Sequence, residues 1–214
     1  MQKFNSPLEA FLYWEEKTPN NIFLNQPKDG KILSDSFSEV GNQVRKIAHK
    51  LKAYNFPERS HVALLSTNCA HWHMSDLAIM MAGYVSIPIY PTLNAHSISQ
   101  ILEHSESKAI IIGKLDNFEQ QKTGIPDIPK ISIGLYDIKE GDIWEDMVHE
   151  GQKLKTVYVQ KPDDLHTVIY TSGTTGTPKG VMHTVENFMV SSYCLINTYK
   201  APNQAKFFSY LPIA

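Results

Sequence analysis

Cysteine is scarce in this 214-residue chain: only Cys69 and Cys194 are present. They are far apart, each inside an apolar, helix-like segment, which excludes a disulfide framework and reads as two buried thiols in a reducing compartment. Excess charge of either sign is also missing, with 20 basic against 22 acidic residues and a net charge of −2. No run of lysines or arginines lines a helix face, so nucleic acid is excluded as a partner. Long apolar runs are absent. The longest, Leu77 to Tyr90, is interrupted by Gly83, Ser86 and Pro88 and falls short of the ~20 residues a membrane-spanning helix needs. Contact with a membrane surface stays open. The opening MQKFNSPLEAFLYWEE has carboxylates where a secretory leader would carry its apolar core, so the expected location is cytoplasmic. Nine histidines are present, yet none sits in HExxH or at a zinc spacing from cysteine, and no metal site is expected. His71 and His73, two apart on a helix, point to different faces and read as structural or surface residues.

A hydrophobic content of 42% is ample for a core, in one large domain or two small ones. Ser6-Pro7-Leu8-Glu9 opens a first amphipathic helix, and Ser36-Phe37-Ser38-Glu39 caps a second with the stripe Val40, Val44, Ile47, Ala48 and Leu51. Between them, Ile22 to Asn25 and Lys31 to Ser34 flank Asp29-Gly30 and predict a hairpin. Then His61 to Leu65, Val85 to Ile89 and Ala109 to Ile112 read as strands. Cys69 to Ala82 and the segment behind Asn94, with Ile98, Ile101 and Leu102, read as helices. Such alternation predicts an α/β fold, a largely parallel sheet with helices on both faces. From Lys114 to Asp163 the sequence turns polar and glycine- and proline-rich, and is expected to form a lateral excursion with one short helix over Ile143 to Val148. No internal repeat appears.

The chemistry concentrates in TSGTTGTPKG, Thr171 to Gly180. The buried-strand pattern Thr167 to Tyr170 precedes it and the helical pattern Val185 to Asn197 follows. Gly173 and Gly176 let successive backbone N–H groups converge on one anion. Thr171, Ser172, Thr174, Thr175 and Thr177 add rotatable hydroxyl donors, and Lys179 a compact positive charge. Pro178 stiffens the far end. The spacing is not GxxxxGK[ST], which sets aside the P-loop kinases and GTPases. These residues point to a polyphosphate such as pyrophosphate as ligand, held by Thr171, Ser172, Gly173, Thr174, Thr175, Gly176, Thr177 and Lys179.

The run YTSGTTGTPKGVMHT, Tyr170 to Thr184, closely resembles the signature of the adenylate-forming (AMP-binding) superfamily of acyl-CoA synthetases, luciferases and peptide-synthetase adenylation domains. Asn68 with HWHMSDLAIMMAGYVSIPIYPT, ending at Thr92, resembles the segment that precedes the loop in acyl-CoA synthetases, most of all those for long-chain fatty acids. SYLPIA, Ser209 to Ala214, resembles the opening of the family's next motif. The resemblance implies the first half of a large N-terminal domain over residues 1–214, in a ligase that joins a carboxylic acid to AMP and then passes the acyl group to CoA. It implies ATP, Mg2+ and CoA as substrates or cofactors, with magnesium bridging the phosphates. The loop would hold the β- and γ-phosphates, Lys179 would stabilise departing charge, and no catalytic residue would lie in this stretch. Complete turnover is not expected from these residues alone. His183 departs from the family pattern, in which a histidine follows a leucine two residues further on, so no ligand role is assigned to it.

Other residue groups carry blander readings. Asp163 and Asp164 are expected to solvate or cap a turn. Trp72, Tyr84 and Tyr90 could line an acyl tunnel, but aromatics in apolar runs usually belong to the core. Besides the ligase, the residues are compatible with a non-catalytic nucleotide-binding module, an adenylating enzyme for another carboxylate or a carrier protein, or an interaction scaffold. Oligomeric state has no signature in the sequence.

Overall fold

The structure, a computed structural model, describes residues 3–172, 178–200 and 205–209. Ser6 caps α1 (Pro7–Lys17), its hydroxyl accepting from the Glu9 N–H, and Pro7 sits where a missing N–H costs nothing. A reciprocal capping box of Ser36 and Glu39 starts α2 (Phe37–Ala53), whose stripe from Val40 to Leu51 is buried. Strands β1 (Ile22–Lys28) and β2 (Lys31–Ser36) pair antiparallel as a separate ribbon. Asp29 and Gly30 turn it with φ of 50° and 73°, the two positive values a type I′ turn needs.

The main sheet has seven strands: β3 (His61–Leu65), β4 (Val85–Ile89), β5 (Ala109–Ile112), β6 (Lys130–Ser132), β7 (Asp142–Ile143), β8 (Leu165–Ser172) and β9 (Pro178–Thr184). Their order is β7-β6-β5-β3-β4-β8-β9. Every neighbouring pair is parallel except β8 with β9. Helices α3 (Ala70–Met81), α4 (Ala95–His104), α5 (Phe118–Gln121), α6 (Trp144–Glu150) and α7 (Val185–Tyr199) complete the chain. Along β3, Val62 and Leu64 join the core beneath α1, α2, α3 and α6, while Ala63 and Leu65 join a second core beneath α4. Residues 109 to 112 of β5 divide in the same way. Both faces of a parallel sheet are thus covered, so its strands read as continuous apolar runs. No helix among the described residues is long and apolar enough to cross a membrane.

Three sequence expectations need correction. The stretch Lys114 to Asp163 is no mere excursion, since β6 and β7 extend the main sheet. The segment before α7 is not loop throughout, because Pro178–Thr184 pairs antiparallel with β8 as an edge strand. Cys69 is buried as expected, but Cys194 is exposed. Val185 is the one buried residue described on α7, and Phe188, Val190 and Leu195 stand exposed with Cys194, so apolar composition there does not report a buried face.

His71 is structural. Its ring meets Tyr136 and Trp144 edge-on, with centroids 5.5 and 5.4 Å away, and Nδ1 lies 3.1 Å from the Tyr136 hydroxyl. Burial lowers its pKa to about 4 against a weaker opposing pull from Glu145. In the unfolded chain an ordinary histidine titrates near ~6.5. Between those values the unfolded state takes up a proton that the native imidazole refuses, so stability falls as pH drops from about 6.5 to about 4. The expected loss is about 3 kcal/mol. Urea titrations across that range should show it, and His71→Gln should remove this share while leaving the share due to His73 and His166, whose pKa values burial also lowers.

Candidate phosphate-binding site

The carboxyl ends of β3, β4, β5 and β8 share one edge of the sheet, the side on which open α/β sheets bind ligands. The rule favours the place where adjacent strands send their connections in opposite directions. Here that place lies between β3, which leads to β4, and β5, which leads to β6 on the other side. It is closed by its own bonds. The Lys114 N–H donates to Ser66 Oγ at 3.0 Å, while the Thr67 N–H and Oγ1 donate to the Lys114 carbonyl at 2.8 and 3.1 Å. A Cβ on Gly113 would fall 2.3 Å from Ser66 Oγ. The end of β8 remains.

Strand β8 joins the parallel sheet through Thr167, whose hydroxyl donates to the Ser86 carbonyl of β4 at 2.9 Å. At its end the register sets Tyr170 opposite Gly180, Thr171 opposite Lys179 and Ser172 opposite Pro178. Of the expected phosphate ligands, Thr171, Ser172 and Lys179 therefore come together at the mouth of one hairpin. Gly173, Thr174, Thr175, Gly176 and Thr177 lie outside the described residues. Thr171 and Lys179 are exposed, and among the described residues no carboxylate forms an ion pair with Lys179. An uncompensated cation beside a hydroxyl, on the edge where backbone N–H groups can converge, suits a polyphosphate.

Sequence reasoning missed what holds this mouth in place. Tyr170 is buried, which raises its hydroxyl pKa. Its ring lies across Gly180, where a Cβ would sit 3.2 Å from Tyr170 Cζ and 2.7 Å from Val168 Cγ1. Its hydroxyl meets His104 Nδ1 at 2.8 Å. The available signal was an aromatic immediately before the loop and a glycine immediately after the lysine.

The remaining candidates resolve into structure. Trp72 and Tyr84, 6% and 2% exposed, belong to the core, and Tyr84 and Tyr90 flank opposite ends of β4, so the three do not form one wall. Asp164 Oδ2 accepts from the Lys161 N–H at 2.7 Å and from the Tyr158 hydroxyl at 3.0 Å, the turn role expected of it. His183 lies in β9 opposite Thr167. Among the described residues no group of three or more His, Cys, Asp or Glu is placed to hold a metal ion. A magnesium ion bound chiefly through the phosphates of its ligand needs only one or two protein carboxylates, and no step is routed through it.

A largely parallel sheet covered on both faces, with a hydroxyl- and lysine-bearing hairpin at its carboxyl edge, defines an open α/β domain of the kind that takes ligands at that edge. Residues 11–214 match the family described as AMP-binding enzyme, and the chain belongs to that family. Long chain acyl-CoA synthetase 4 of Arabidopsis thaliana is 27% identical over 100% of this chain and 36% of its own length. Long chain acyl-CoA synthetase 5 of the same plant is 28% identical over 93% of this chain and 34% of its own length. The chain thus spans about a third of the length of these curated relatives. Among solved structures, o-succinylbenzoate coenzyme A synthetase from Bacillus subtilis, in complex with ATP and magnesium ion, superposes with a TM-score of 0.76 at 19% identity. The match covers 99% of this chain and 51% of that one. It supports the fold.

Proposed function

We propose that residues 1–214 are part of the N-terminal AMP-binding domain of an acid–thiol ligase that activates a carboxylic acid, with a long-chain fatty acid as first choice. A carboxylate oxygen attacks the α-phosphorus of ATP, the bond from that phosphorus to the bridging oxygen breaks, and its electron pair leaves with pyrophosphate. The acyl adenylate then passes its acyl group to a thiol, CoA in this reading, and AMP departs. The compartment that goes with this reading is the cytoplasm. Thr171, Ser172, Gly173, Thr174, Thr175, Gly176, Thr177 and Lys179 are assigned to the β- and γ-phosphates, where fixed donors offset the charge growing on the leaving pyrophosphate.

The observation that carries the proposal is the exposed Thr171–Lys179 pair at the carboxyl end of β8, on the edge of the sheet where ligands bind in open α/β folds. The fatty-acid choice draws on the two long chain acyl-CoA synthetases. Thermal melts of the chain with ATP test the phosphate assignment. Saturation at 100 times the dissociation constant adds about 2.7 kcal/mol, so ATP and inorganic tripolyphosphate should both raise the midpoint, and AMP much less. Equal midpoints with and without millimolar ATP or tripolyphosphate would overturn it.

A further inference from the structure

We propose that His104 is a positioning residue for the phosphate-binding hairpin, acting through the Tyr170 hydroxyl; this rests on the phosphate reading of that hairpin. His104 is the last residue of α4. Its ring stands edge-on to that of Tyr170, at 5.6 Å and 85°, with Nδ1 2.8 Å from the hydroxyl. Tyr170 is only 4% exposed and shares a core with Ile101 and Leu102 of α4 and Val168 of β8. Because Gly180 has no side chain, the Tyr170 ring can lie across β9 on its way to α4. One contact therefore ties α4, β8 and β9 together.

The tie lies one residue from the Thr171–Lys179 pair, a step of ~3.3 Å along a strand. Its position matters because, among the described residues, β9 is the last strand of the sheet and no outer strand fixes it sideways. Alternation along the strands turns Thr171 and Lys179 to the face opposite Tyr170, so His104 itself touches no phosphate. It fixes the angle at which the hairpin presents its donors. Losing a net hydrogen bond's worth of positioning corresponds to a loss of about 3- to 10-fold in affinity.

Calorimetric titration of the 214-residue chain with tripolyphosphate tests this in wild type, His104→Ala, His104→Gln, Tyr170→Phe and the His104→Ala/Tyr170→Phe double variant. Each of His104→Ala and Tyr170→Phe should weaken binding by about 3- to 10-fold, the double variant no more than either single one, and His104→Gln should recover most of the loss. A merely structural histidine would lower the melting midpoint but leave affinity unchanged well below it. Wild-type affinity in both single variants, or additive losses in the double, would overturn the role of His104 alone. Should His104→Ala not fold, Tyr170→Phe, which keeps the ring and its packing, decides the matter. Absence of binding by the wild-type chain would overturn the phosphate reading and this role together.

Discussion

Replacing Lys179 with alanine should weaken ATP binding by about 10- to 100-fold, the range expected for a charge-assisted contact to phosphate, with the ligand-free melting midpoint unchanged. The two halves of that expectation have separate causes. Lys179 is exposed, and among the described residues no carboxylate pairs with it, so the folded chain loses no ion pair when the ammonium goes. Surface substitutions of this kind stay within about 0.5 kcal/mol. Affinity is different, because the ammonium sits opposite Thr171 at the hairpin mouth, where a polyphosphate would bring several charges within reach of it. Raising the salt concentration should narrow the gap between wild type and variant, since exposed charges are screened beyond about 10 Å at 0.1 M. Lys179→Arg should recover only part of the affinity, since a planar fork cannot replace a compact charge that follows a moving anion. In a polypeptide competent for the whole reaction, adenylation should fall alongside binding. Calorimetry on the alanine variant decides the point: an affinity equal to wild type would remove Lys179 from the site.

What the sequence disclosed about this region follows from which physical signals are local. Strands β3, β4 and β5 are short apolar runs bounded by helices, and burial on both faces writes itself into composition. Capping by Ser6, Ser36 and Asn94 is likewise local, since each hydroxyl or amide oxygen meets an N–H three residues on. Strand β9 was hidden for the opposite reason. Its sequence, PKGVMHT, opens with a proline and contains a glycine, residues that argue against a central strand but are tolerated at a sheet edge. Strands β6 and β7 are three and two residues long, too short for any periodicity to show. The N-terminus of α3 gave no capping signal either, because its cap comes from elsewhere: the Ala70 N–H donates to Gln26 Oε1 of β1 at 2.8 Å. His104 and Tyr170 are 66 positions apart, and neither residue announces the other. The hydroxyls, glycines and lysine that suggest a phosphate ligand stand together in sequence, whereas the contact between α4 and β8 behind them joins residues distant in sequence.

Trp144→Ala should destabilise the chain by about 3–5 kcal/mol, the range for deleting a fully buried large aromatic, while leaving the affinity for ATP unchanged. Trp144 is 1% exposed and starts α6 immediately after β7. Its indole N–H donates to Gln43 Oε1 of α2 at 3.2 Å, and its ring packs edge-on against His71 of α3. Truncation would open a cavity where three helices meet and leave the Gln43 oxygen without that donor, so the cost includes lost packing and an unsatisfied acceptor. Against a total of about 5–15 kcal/mol for a folded domain, such a loss is large. Affinity should survive in the fraction that stays folded, because β7 and the hairpin strand β9 lie at opposite edges of the seven-stranded sheet. A second consequence follows from the same cavity. Water admitted beside His71 relieves the burial that holds its pKa near 4, so the loss of stability below about pH 6.5 should become shallower in the variant than in wild type. Trp144→Phe separates the contributions, since it keeps most of the ring packing and removes the indole donor, with an expected cost of about 1–2 kcal/mol. Urea titrations of the three proteins at pH 7.5 and 5, with tripolyphosphate affinity measured at the higher pH, read every part of the expectation. Unchanged stability in Trp144→Ala would mean that α6 does not anchor the β7 edge, and a parallel loss of affinity would mean that the two edges of the sheet are coupled.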